Sequence, residues 1–335
     1  MARQHYGARR VAASLVGRAK WLIRGTSLVI THNVFPELTA GFRYVRSPHQ
    51  LIFSWPSGRA ALGPRVAVVA HYDGQGLLSA SVRHYLSELA VNKFSVVFVS
   101  NSGSLSPDAL QWLQSLCSAI IVRRNVGYDF GAWREAIEHL GLPIAGTEML
   151  VLANDSVYGP IRPLSETFER IRLDKAPVWG LTESWQHGYH LQSYFLVFGT
   201  AVLQSQAWRQ FWAQVRPAPS KHWLIRHYEV GLTQAMLQAG FACRAAWPYE
   251  MGEPATARSK QLFNPTAHHW RDLLSAGFPF IKRELLHRNP ARIDITGWQT
   301  IAYANATIDL SKIIGEVPSP YEQVHADAGL GLQGR

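Results

Sequence analysis

The sequence predicts an α/β protein in which a mostly parallel sheet is flanked by helices, followed by a mixed second half. Short, unbroken apolar runs alternate with helical patterns between residues 66 and 153. Such runs are typical of strands that are buried on both faces. Strands that alternate with helices indicate a parallel sheet. The predicted strands are 66–70, 94–99, 119–122 and 149–153, and the predicted helices are 77–89, 107–116 and 132–140.

Beyond residue 160 the pattern is mixed. Strands are predicted at 178–181, 194–198 and 242–246, and the second of them is expected to be antiparallel; helices are predicted at 206–215 and 228–239. The sequence therefore divides into a basic arm and lead-in (1–65), a folded domain (66–290) and a C-terminal extension and tail (291–335).

Positive charge is concentrated near the N-terminus. Residues 1–65 hold ten Arg and Lys and a single acid, Glu37, whereas the remaining 270 residues hold 23 basic and 22 acidic side chains. Nucleic-acid enzymes usually carry their basic patch on the folded body, so this distribution argues against nucleic acid as a partner. Residues 9–24 have the pattern of a basic amphipathic helix, which predicts either contact with an anionic membrane surface or packing on the body.

The cysteine spacing and the distribution of apolar residues predict the cellular location of the protein. The two cysteines, Cys117 and Cys243, lack metal-ligand or redox spacing, which favours a reducing compartment. No run of 18 apolar residues and no continuous apolar signal core is present. We expect a cytoplasmic protein, with the arm as a means of peripheral attachment to the inner face of the cell membrane.

Several enzyme classes are excluded by missing motifs. No Gly-x-Gly-x-x-Gly follows the first strand, and the chain has no Walker-type phosphate loop. A Gly-x-Ser-x-Gly elbow and a His-Glu-x-x-His pair are also absent from the sequence. Dinucleotide-dependent dehydrogenases, P-loop enzymes, α/β-hydrolases and zincins are therefore disfavoured.

Polar residues follow the predicted parallel strands, at the edge where such sheets bind ligands. They are Asp73 and residues 100–102, 123–129 and 154–156. The carboxylate of Asp155 could hold Mg²⁺ or Mn²⁺ bridging the phosphates of a nucleotide. Asn154, Asp155 and Ser156 also have the composition of an Asx turn that ends a strand.

The segment 124–134 (RNVGYDFGAWR) links the third strand to its helix. Gly127 and Gly131 allow close approach of the backbone to a ligand. Asp129 falls near the helix start, where an anion can also be bound. A capped helix with an aromatic plug is the alternative. We take Asn125, Gly127 and Asp129 as candidate contacts to a nucleotide sugar.

Three segments together resemble the rhamnan synthesis protein F family. They are 124–134, then 154–160 (NDSVYGP), then a block with Asn264, His268, Trp270, GFPFIK at 277–282 and RNP at 288–290. The resemblance extends over about residues 66–290. It implies a GT-A-like fold, with a nucleotide-binding half (66–160) and an acceptor half (161–290). The implied activity is transfer of a sugar, often rhamnose, from a nucleotide diphosphate sugar in the synthesis of cell-wall or O-antigen polysaccharide. A lipid-linked glycan acceptor would suit an N-terminal arm that holds the protein at the membrane.

The resemblance also assigns roles to individual residues. By analogy with GT-A transferases, Asp73 would meet the nucleotide base or ribose, and Asp155 the metal and the diphosphate. GT-A enzymes place Asp-x-Asp at this strand end, and here Asn154 replaces the first Asp. A single carboxylate holds Mg²⁺ or Mn²⁺ more weakly. This replacement also supports an alternative, a binding or scaffolding subunit without catalysis.

Inverting transferases need a carboxylate that takes the proton from the acceptor hydroxyl. GT-A enzymes often carry it at the start of a helix that leads to a Gly and an edge strand, which selects Glu229. A first-turn Glu that complements the helix dipole is the alternative. Glu183, after the predicted strand 178–181, is the second candidate.

Further candidate site residues are Lys282, as a cation, and several residues of the loop before the strand 194–198. Lys282 could stabilise the leaving diphosphate, or be a solvated helix residue like its neighbour Arg283. The loop before the strand 194–198 could line the acceptor side or simply pack; its candidates are Trp185, His187, Tyr189 and His190.

Overall fold

The computed structural model describes residues 50–216, 221–248 and 264–315. Twelve strands are found in these residues: β1 (Leu51–Trp55), β2 (Arg65–His71), β3 (Ser95–Ser100), β4 (Ala119–Arg123), β5 (Met149–Asn154), β6 (Val157–Tyr158), β7 (Val178–Gly180), β8 (Glu183–Ser184), β9 (His190–Leu191), β10 (Phe195–Gly199), β11 (Cys243–Ala245) and β12 (Ile281–Lys282). Eight of them form one sheet in the order β1-β4-β3-β2-β5-β10-β7-β11.

The centre of this sheet is parallel. β2 pairs in parallel with β3 and β5, and β3 pairs in parallel with β4. β10 runs antiparallel to both β5 and β7, and β11 is parallel to β7. The predicted α/β class, with a mostly parallel sheet flanked by helices and a mixed second half, is confirmed, as is the antiparallel strand near residues 194–198.

Helices cover both faces of the sheet. They are α1 (Ala80–Val91), α2 (Pro107–Leu116), α3 (Tyr128–Leu140), α4 (Leu164–Arg170), α5 (Thr200–Leu203), α6 (Gln206–Gln214), α7 (Lys221–Leu224), α8 (Val230–Gln238), α9 (Pro265–His268), α10 (Trp270–Ser275), α11 (Arg283–His287), α12 (Trp298–Asn305) and α13 (Ser311–Ile314). A π-helical turn, Ile225–Glu229, joins α7 to α8.

Serine caps decide where two of these helices begin. The Ser106 side chain accepts the Ala109 N–H, which confirms the predicted cap of α2. The Ser79 side chain accepts the Val82 N–H. As a result α1 begins at Ala80, three residues after the start that apolar periodicity predicts.

Strand β1 lies within the predicted arm and lead-in (1–65), where the sequence pattern predicts no strand. It pairs antiparallel with β4 at the edge of the sheet. An edge strand is covered on one side only: Ile52 is 50% exposed and Phe53 37%. It therefore lacks the unbroken apolar run of a central strand, and Pro56 and Gly58 follow it at once.

Alternate side chains of β2 enter two apolar layers. Ala67 and Val69 belong to a cluster that includes residues of α1 and α2. Val66 and Val68 belong to a second cluster with residues of α3 and α6. Trp298 and Ile313 also belong to the first cluster, so the described part of the segment after residue 290 packs on the same core.

Two short antiparallel ribbons lie outside the main sheet. β6 pairs with β12, with Val157 opposite Lys282 and Tyr158 opposite Ile281. β8 pairs with β9. Gly159 permits the first ribbon to pack closely, since a Cβ at this position would come within 2.6 Å of the Pro279 carbonyl oxygen. The β6–β12 ribbon brings residues 281–282 close to the end of β5, from which they are distant in the chain.

Among the described residues, no helix combines the length and the apolar character that a membrane crossing requires. The predicted amphipathic segment 9–24 and the predicted tail 318–335 lie outside the described residues.

Candidate active site

A cavity of about 620 Å³ opens at the carboxyl ends of the parallel strands. One wall consists of residues at or after the carboxyl ends of β2, β4 and β5. The opposite wall consists of residues 192–194 just before β10, the helical segment 221–229 and residues 282–288. Residues that line it are Tyr72, Tyr128, Asp129, Asn154, Ser156, Gln186, His190, Gln192, Ser193, Tyr194, Lys221, Glu229, Asn264, Lys282, Arg283, Glu284, His287 and Arg288. This is the edge at which the sequence predicts ligand binding.

A second cavity, of about 770 Å³, lies between α3, α5 and α6. Its lining is mostly apolar and includes Trp208 and Trp212, together with the segment 141–148 that precedes β5. It thus lies at the amino-terminal end of β5. Among its lining residues none follows the carboxyl end of a parallel strand, so we place the candidate active site in the first cavity.

The end of β5 is an Asx turn that is tied to α3. The Asn154 carbonyl oxygen (Oδ1) accepts the N–H and the hydroxyl of Ser156, at 3.1 and 2.6 Å. The Asn154 side-chain N–H donates to Asp129 Oδ2 at 2.8 Å. Asn154 therefore has a defined use without a metal, because its amide donates to a carboxylate that a second Asp would repel.

Asp155 follows Asn154 at the same strand end, and it is not among the residues that line the cavity. Its Oδ2 accepts the Tyr72 N–H at 3.4 Å, and it lies 3.9 Å from Arg283 Nη1 and 4.0 Å from His71 Nε2. The side chain is 16% exposed. Its carboxylate is thus held by the ends of β2 and β5 and by the segment after β12.

Asp129 is half-buried at the start of α3 and lines the cavity. Burial, and next the negative charge of Asp155, raise the pKa of Asp129 to about 7, while the hydrogen bond from Asn154 opposes this shift. A carboxyl group with such a pKa is partly protonated near neutral pH. Protonation of Asp129 would reduce the negative charge beside the end of β5.

The loop before Asp129 rests on a buried arginine. Arg123 is 2% exposed, and it donates to Asn101 Oδ1 at 2.5 Å and to the Val126 carbonyl at 2.8 Å. Gly127 has a φ of 85°, a left-handed conformation that glycine adopts without strain. Asn125 is exposed, and neither Asn125 nor Gly127 is among the residues that line the cavity.

Glu229 is the last residue of the π-helical turn, and it lines the cavity. Its Oε1 accepts the Ser193 N–H at 2.8 Å. Glu183 is only 8% exposed and accepts the Tyr189 hydroxyl at 2.9 Å, and it is not among the lining residues. The structure therefore places one of the two candidate bases, Glu229, in the cavity.

Lys282 reaches the cavity from β12. Its Nζ lies 4.8 Å from the centroid of the Tyr194 ring, whose hydroxyl is hydrogen-bonded to Thr182 at 2.7 Å. Burial lowers the pKa of Lys282, and the Glu229 carboxylate is the main influence that opposes this shift. Lys282 and Glu229 therefore face one cavity with opposite charges.

The remaining sequence candidates lie at the margin or beyond it. Asp73 Oδ1 accepts the N–H groups of Gln75 and Leu77, both at 2.9 Å, so its carboxylate closes a turn. Of the four candidates in the loop before β10, His190 lines the cavity, whereas Trp185 packs on Tyr189 with ring centroids 5.1 Å apart. His187 is exposed with a φ of 63°.

Several lining residues were not predicted from the sequence. Tyr72 is 55% exposed and directly follows β2, whereas Tyr128 is 38% exposed and is the first residue of α3. The position of Tyr72 next to a strand end is a signal that the sequence contains. Arg283 and His287 could not be found in this way, because they reach the cavity through the β6–β12 ribbon.

A divalent cation would have few protein ligands here. Within the described ranges no group of three His, Cys, Asp or Glu side chains is arranged to hold a metal ion. Mg²⁺ is commonly bound by one or two carboxylates, with substrate phosphates and water completing its shell. The partly exposed carboxylate of Asp155 fits that mode, in which the substrate supplies most of the ligands.

Comparison with known sequences identifies the family. A sequence model of rhamnan synthesis protein F matches residues 96–314. The chain belongs to this family. The match includes the three motif segments as well as β3, β5 and the residues of the cavity from Tyr128 onward. Family membership and the α/β fold together support sugar transfer in polysaccharide synthesis.

Two curated relatives align with part of the chain. Uncharacterized protein y4gN of Sinorhizobium fredii (strain NBRC 101917 / NGR234) is 31% identical over 197 residues, which are 58% of this chain and 51% of the relative. Virulence protein VirA of Vibrio anguillarum is 29% identical over 200 residues, 52% of this chain and 64% of the relative. The chain thus spans about half of the first relative and less than two thirds of the second.

Solved structures are similar at a greater distance. A mannosyltransferase of Pyrobaculum calidifontis, PcManGT, in complex with GDP-Man and Mn²⁺, is 13% identical with a TM-score of 0.36; the alignment covers 92% of this chain and 91% of that one. A putative nucleotide-diphospho-sugar transferase of Desulfovibrio desulfuricans G20 is 12% identical with a TM-score of 0.32, covering 58% and 90%.

Proposed function

We propose that this protein of the rhamnan synthesis protein F family is a glycosyltransferase. It moves a sugar, with rhamnose the first candidate, from a nucleotide diphosphate sugar to a growing cell-surface polysaccharide or lipid-linked glycan. The observation that carries the proposal is one cavity lined by the strand-end residues Asp129 and Asn154, by the carboxylate of Glu229 and by the ammonium group of Lys282. Sugar transfer needs a cation that stabilises the diphosphate of the donor and a carboxylate that takes the proton of the acceptor hydroxyl. This cavity brings the two charges together.

In the proposed reaction the acceptor hydroxyl attacks the anomeric carbon while Glu229 takes its proton. The bond between that carbon and the diphosphate oxygen breaks, and the diphosphate leaves with the electron pair. Lys282 stabilises the charge that develops on the leaving group. Support for Glu229 over Glu183 comes from its position in the cavity and from the hydrogen bond from the Ser193 N–H, which orients its carboxylate.

The end of β5 is the proposed place for Mg²⁺ or Mn²⁺, with Asp155 as its protein ligand. A divalent cation there would supply Lewis-acid neutralisation of the diphosphate. Asp129 and Asn154 would bind the donor from within the cavity, whereas Asn125, Gly127 and Asp73, which are not among its lining residues, would contact parts of the donor that extend beyond it. Trp185, His187, Tyr189 and His190 would border the acceptor.

The first test is donor turnover. Purified protein is incubated with dTDP-rhamnose and with GDP- and UDP-linked sugars, with Mn²⁺ or Mg²⁺, and release of nucleoside diphosphate is measured. We expect release from one donor, and at least about a tenfold loss on adding EDTA or in Asp155→Asn, since charge stabilisation of a leaving group contributes this much or more. If neither EDTA nor Asp155→Asn changes the release of nucleoside diphosphate, the proposal of a metal at Asp155 is contradicted.

The competing function is a subunit that binds nucleotide sugars or scaffolds other enzymes without catalysis. The observation in its favour is Asn154, which occupies the position of the first Asp of an Asp-x-Asp pair and forms an Asx turn. Thermal shifts on the same donor panel separate the cases. Stabilisation by a donor without turnover, even with acceptor glycan present, would favour the binding subunit.

We further propose that residues 9–24 hold the protein at the inner face of the cell membrane. The support is the charge pattern of the sequence, in which ten basic residues and one acid fall within residues 1–65. Deletion of residues 1–30 is expected to abolish co-sedimentation with vesicles that contain anionic lipid. Undiminished sedimentation of the truncated protein, at low and at physiological salt, would exclude this role.

A further inference from the structure

The β6–β12 ribbon places Arg283 at the end of β5. Residues 157–158 pair with residues 281–282, and the Arg283 N–H then donates to the Ser156 carbonyl at 2.9 Å. Two motif segments that are far apart in sequence therefore form one structure beside Asp155. In the sequence alone, Arg283 cannot be distinguished from a solvated arginine.

The guanidinium group of Arg283 is fixed on two sides. Its Nη1 donates to the Asp155 carbonyl at 3.3 Å and lies 3.9 Å from Asp155 Oδ2. Its Cζ lies 4.7 Å from the centroid of the Tyr158 ring. Tyr158 is itself fixed, because its hydroxyl is hydrogen-bonded to His287 Nε2 at 2.6 Å. An arginine stacked on an aromatic ring keeps its in-plane N–H groups for other acceptors.

Arg283 is also open to the cavity. The side chain is 31% exposed and belongs to the cavity lining. In the described part of the chain, the contacts of its guanidinium with acceptor atoms are those of Nη1 with Asp155. Its other N–H donors have the fork geometry that matches two phosphate oxygens.

The neighbouring cation is placed differently. Lys282 is held over the Tyr194 ring, and the Glu229 carboxylate is the first of the charges that favour its protonated form. The counter-charge of Lys282 is therefore Glu229, on the wall of the cavity that the helical segment 221–229 forms. Arg283 has its counter-charge at the end of β5, where a donor diphosphate would lie.

We propose that Arg283 contacts the diphosphate of the donor directly, positioned by Tyr158 and Asp155, so that nucleoside diphosphate binding has a component that needs no divalent cation. This inference rests on the proposed function, because it assigns a residue to the same site. It makes Arg283 a binding residue and Tyr158 a positioning residue.

The test is nucleoside diphosphate binding by the full chain in EDTA, measured by calorimetry with UDP, GDP and dTDP. Wild type is expected to bind at least one of them, and Arg283→Ala to raise its Kd about tenfold or more, as expected for a lost charge-assisted pair. Arg283→Lys should fall between the two, since an ammonium group cannot bind two oxygens as a fork. Arg124→Ala removes the same charge from an exposed loop residue outside the cavity lining and should leave the Kd unchanged.

Two outcomes would overturn the role of Arg283: wild type that binds no nucleoside diphosphate in EDTA, or an Arg283→Ala variant with the wild-type Kd. The test is separable from the proposed function. Donor turnover together with an unchanged Kd in Arg283→Ala would preserve the transferase and remove Arg283 from it. A tenfold loss of binding without turnover of any donor, with or without acceptor, would preserve Arg283 and remove the transferase.

Discussion

Replacing Glu229 with Gln is expected to lower kcat for sugar transfer about 10²- to 10⁴-fold, the usual contribution of a general base. The reason is chemical, because an amide cannot take the proton of the acceptor hydroxyl. The side-chain oxygen of Gln can still accept the Ser193 N–H that now binds Glu229 Oε1. The variant should therefore fold normally and bind the donor with nearly the wild-type Kd.

The matched control is Glu183→Gln. This residue accepts the Tyr189 hydroxyl and is not in the cavity lining, so its replacement should change kcat by less than about tenfold if its role is structural. If Glu183→Gln rather than Glu229→Gln removed activity, the base would be Glu183. Product analysis by NMR completes the test, since retention of the anomeric configuration would exclude a general-base role for both residues.

The part of the fold that the sequence predicts is the part with continuous apolar runs. β2 to β5 are buried on both faces, so Val, Ile, Leu and Ala follow one another without a polar break. β1 could not be found by the same rule, because an edge strand is half exposed. The sequence pattern shows which strands are buried on both faces, but it does not show which strand pairs with which.

The candidate site divides in the same way. Asp129 and Asn154 were predicted, because the ends of parallel strands meet at one edge of the sheet. Arg283 and Asp155 are 128 residues apart, and they meet through a ribbon with two residues in each strand. Such a short strand leaves no period in the sequence. The π-helical turn that presents Glu229 is likewise invisible to a 3.6-residue pattern.

The loop that carries Asp129 depends on Arg123, and Arg123→Ala is expected to lower the free energy of unfolding by about 3–5 kcal/mol. Arg123 is 2% exposed, and its Nε lies 3.3 Å from Glu135 Oε2. Alanine would leave that carboxylate, Asn101 Oδ1 and the Val126 carbonyl without their shared donor. Burial lowers the pKa of Arg123, and the Glu135 carboxylate opposes this shift.

Urea denaturation followed by tryptophan fluorescence measures this effect, and Arg124→Ala is the matched control. Arg124 is the next residue in the chain and is exposed, so its loss should change the free energy of unfolding by less than about 0.5 kcal/mol. Donor binding by Arg123→Ala should also weaken, under conditions where the variant is folded, because Asn101 donates to the Tyr128 carbonyl next to Asp129. A loss of less than about 1 kcal/mol would mean that the loop is held by its own backbone, which approaches Gly131 so closely that a Cβ there would lie 2.5 Å from the Val126 carbonyl oxygen.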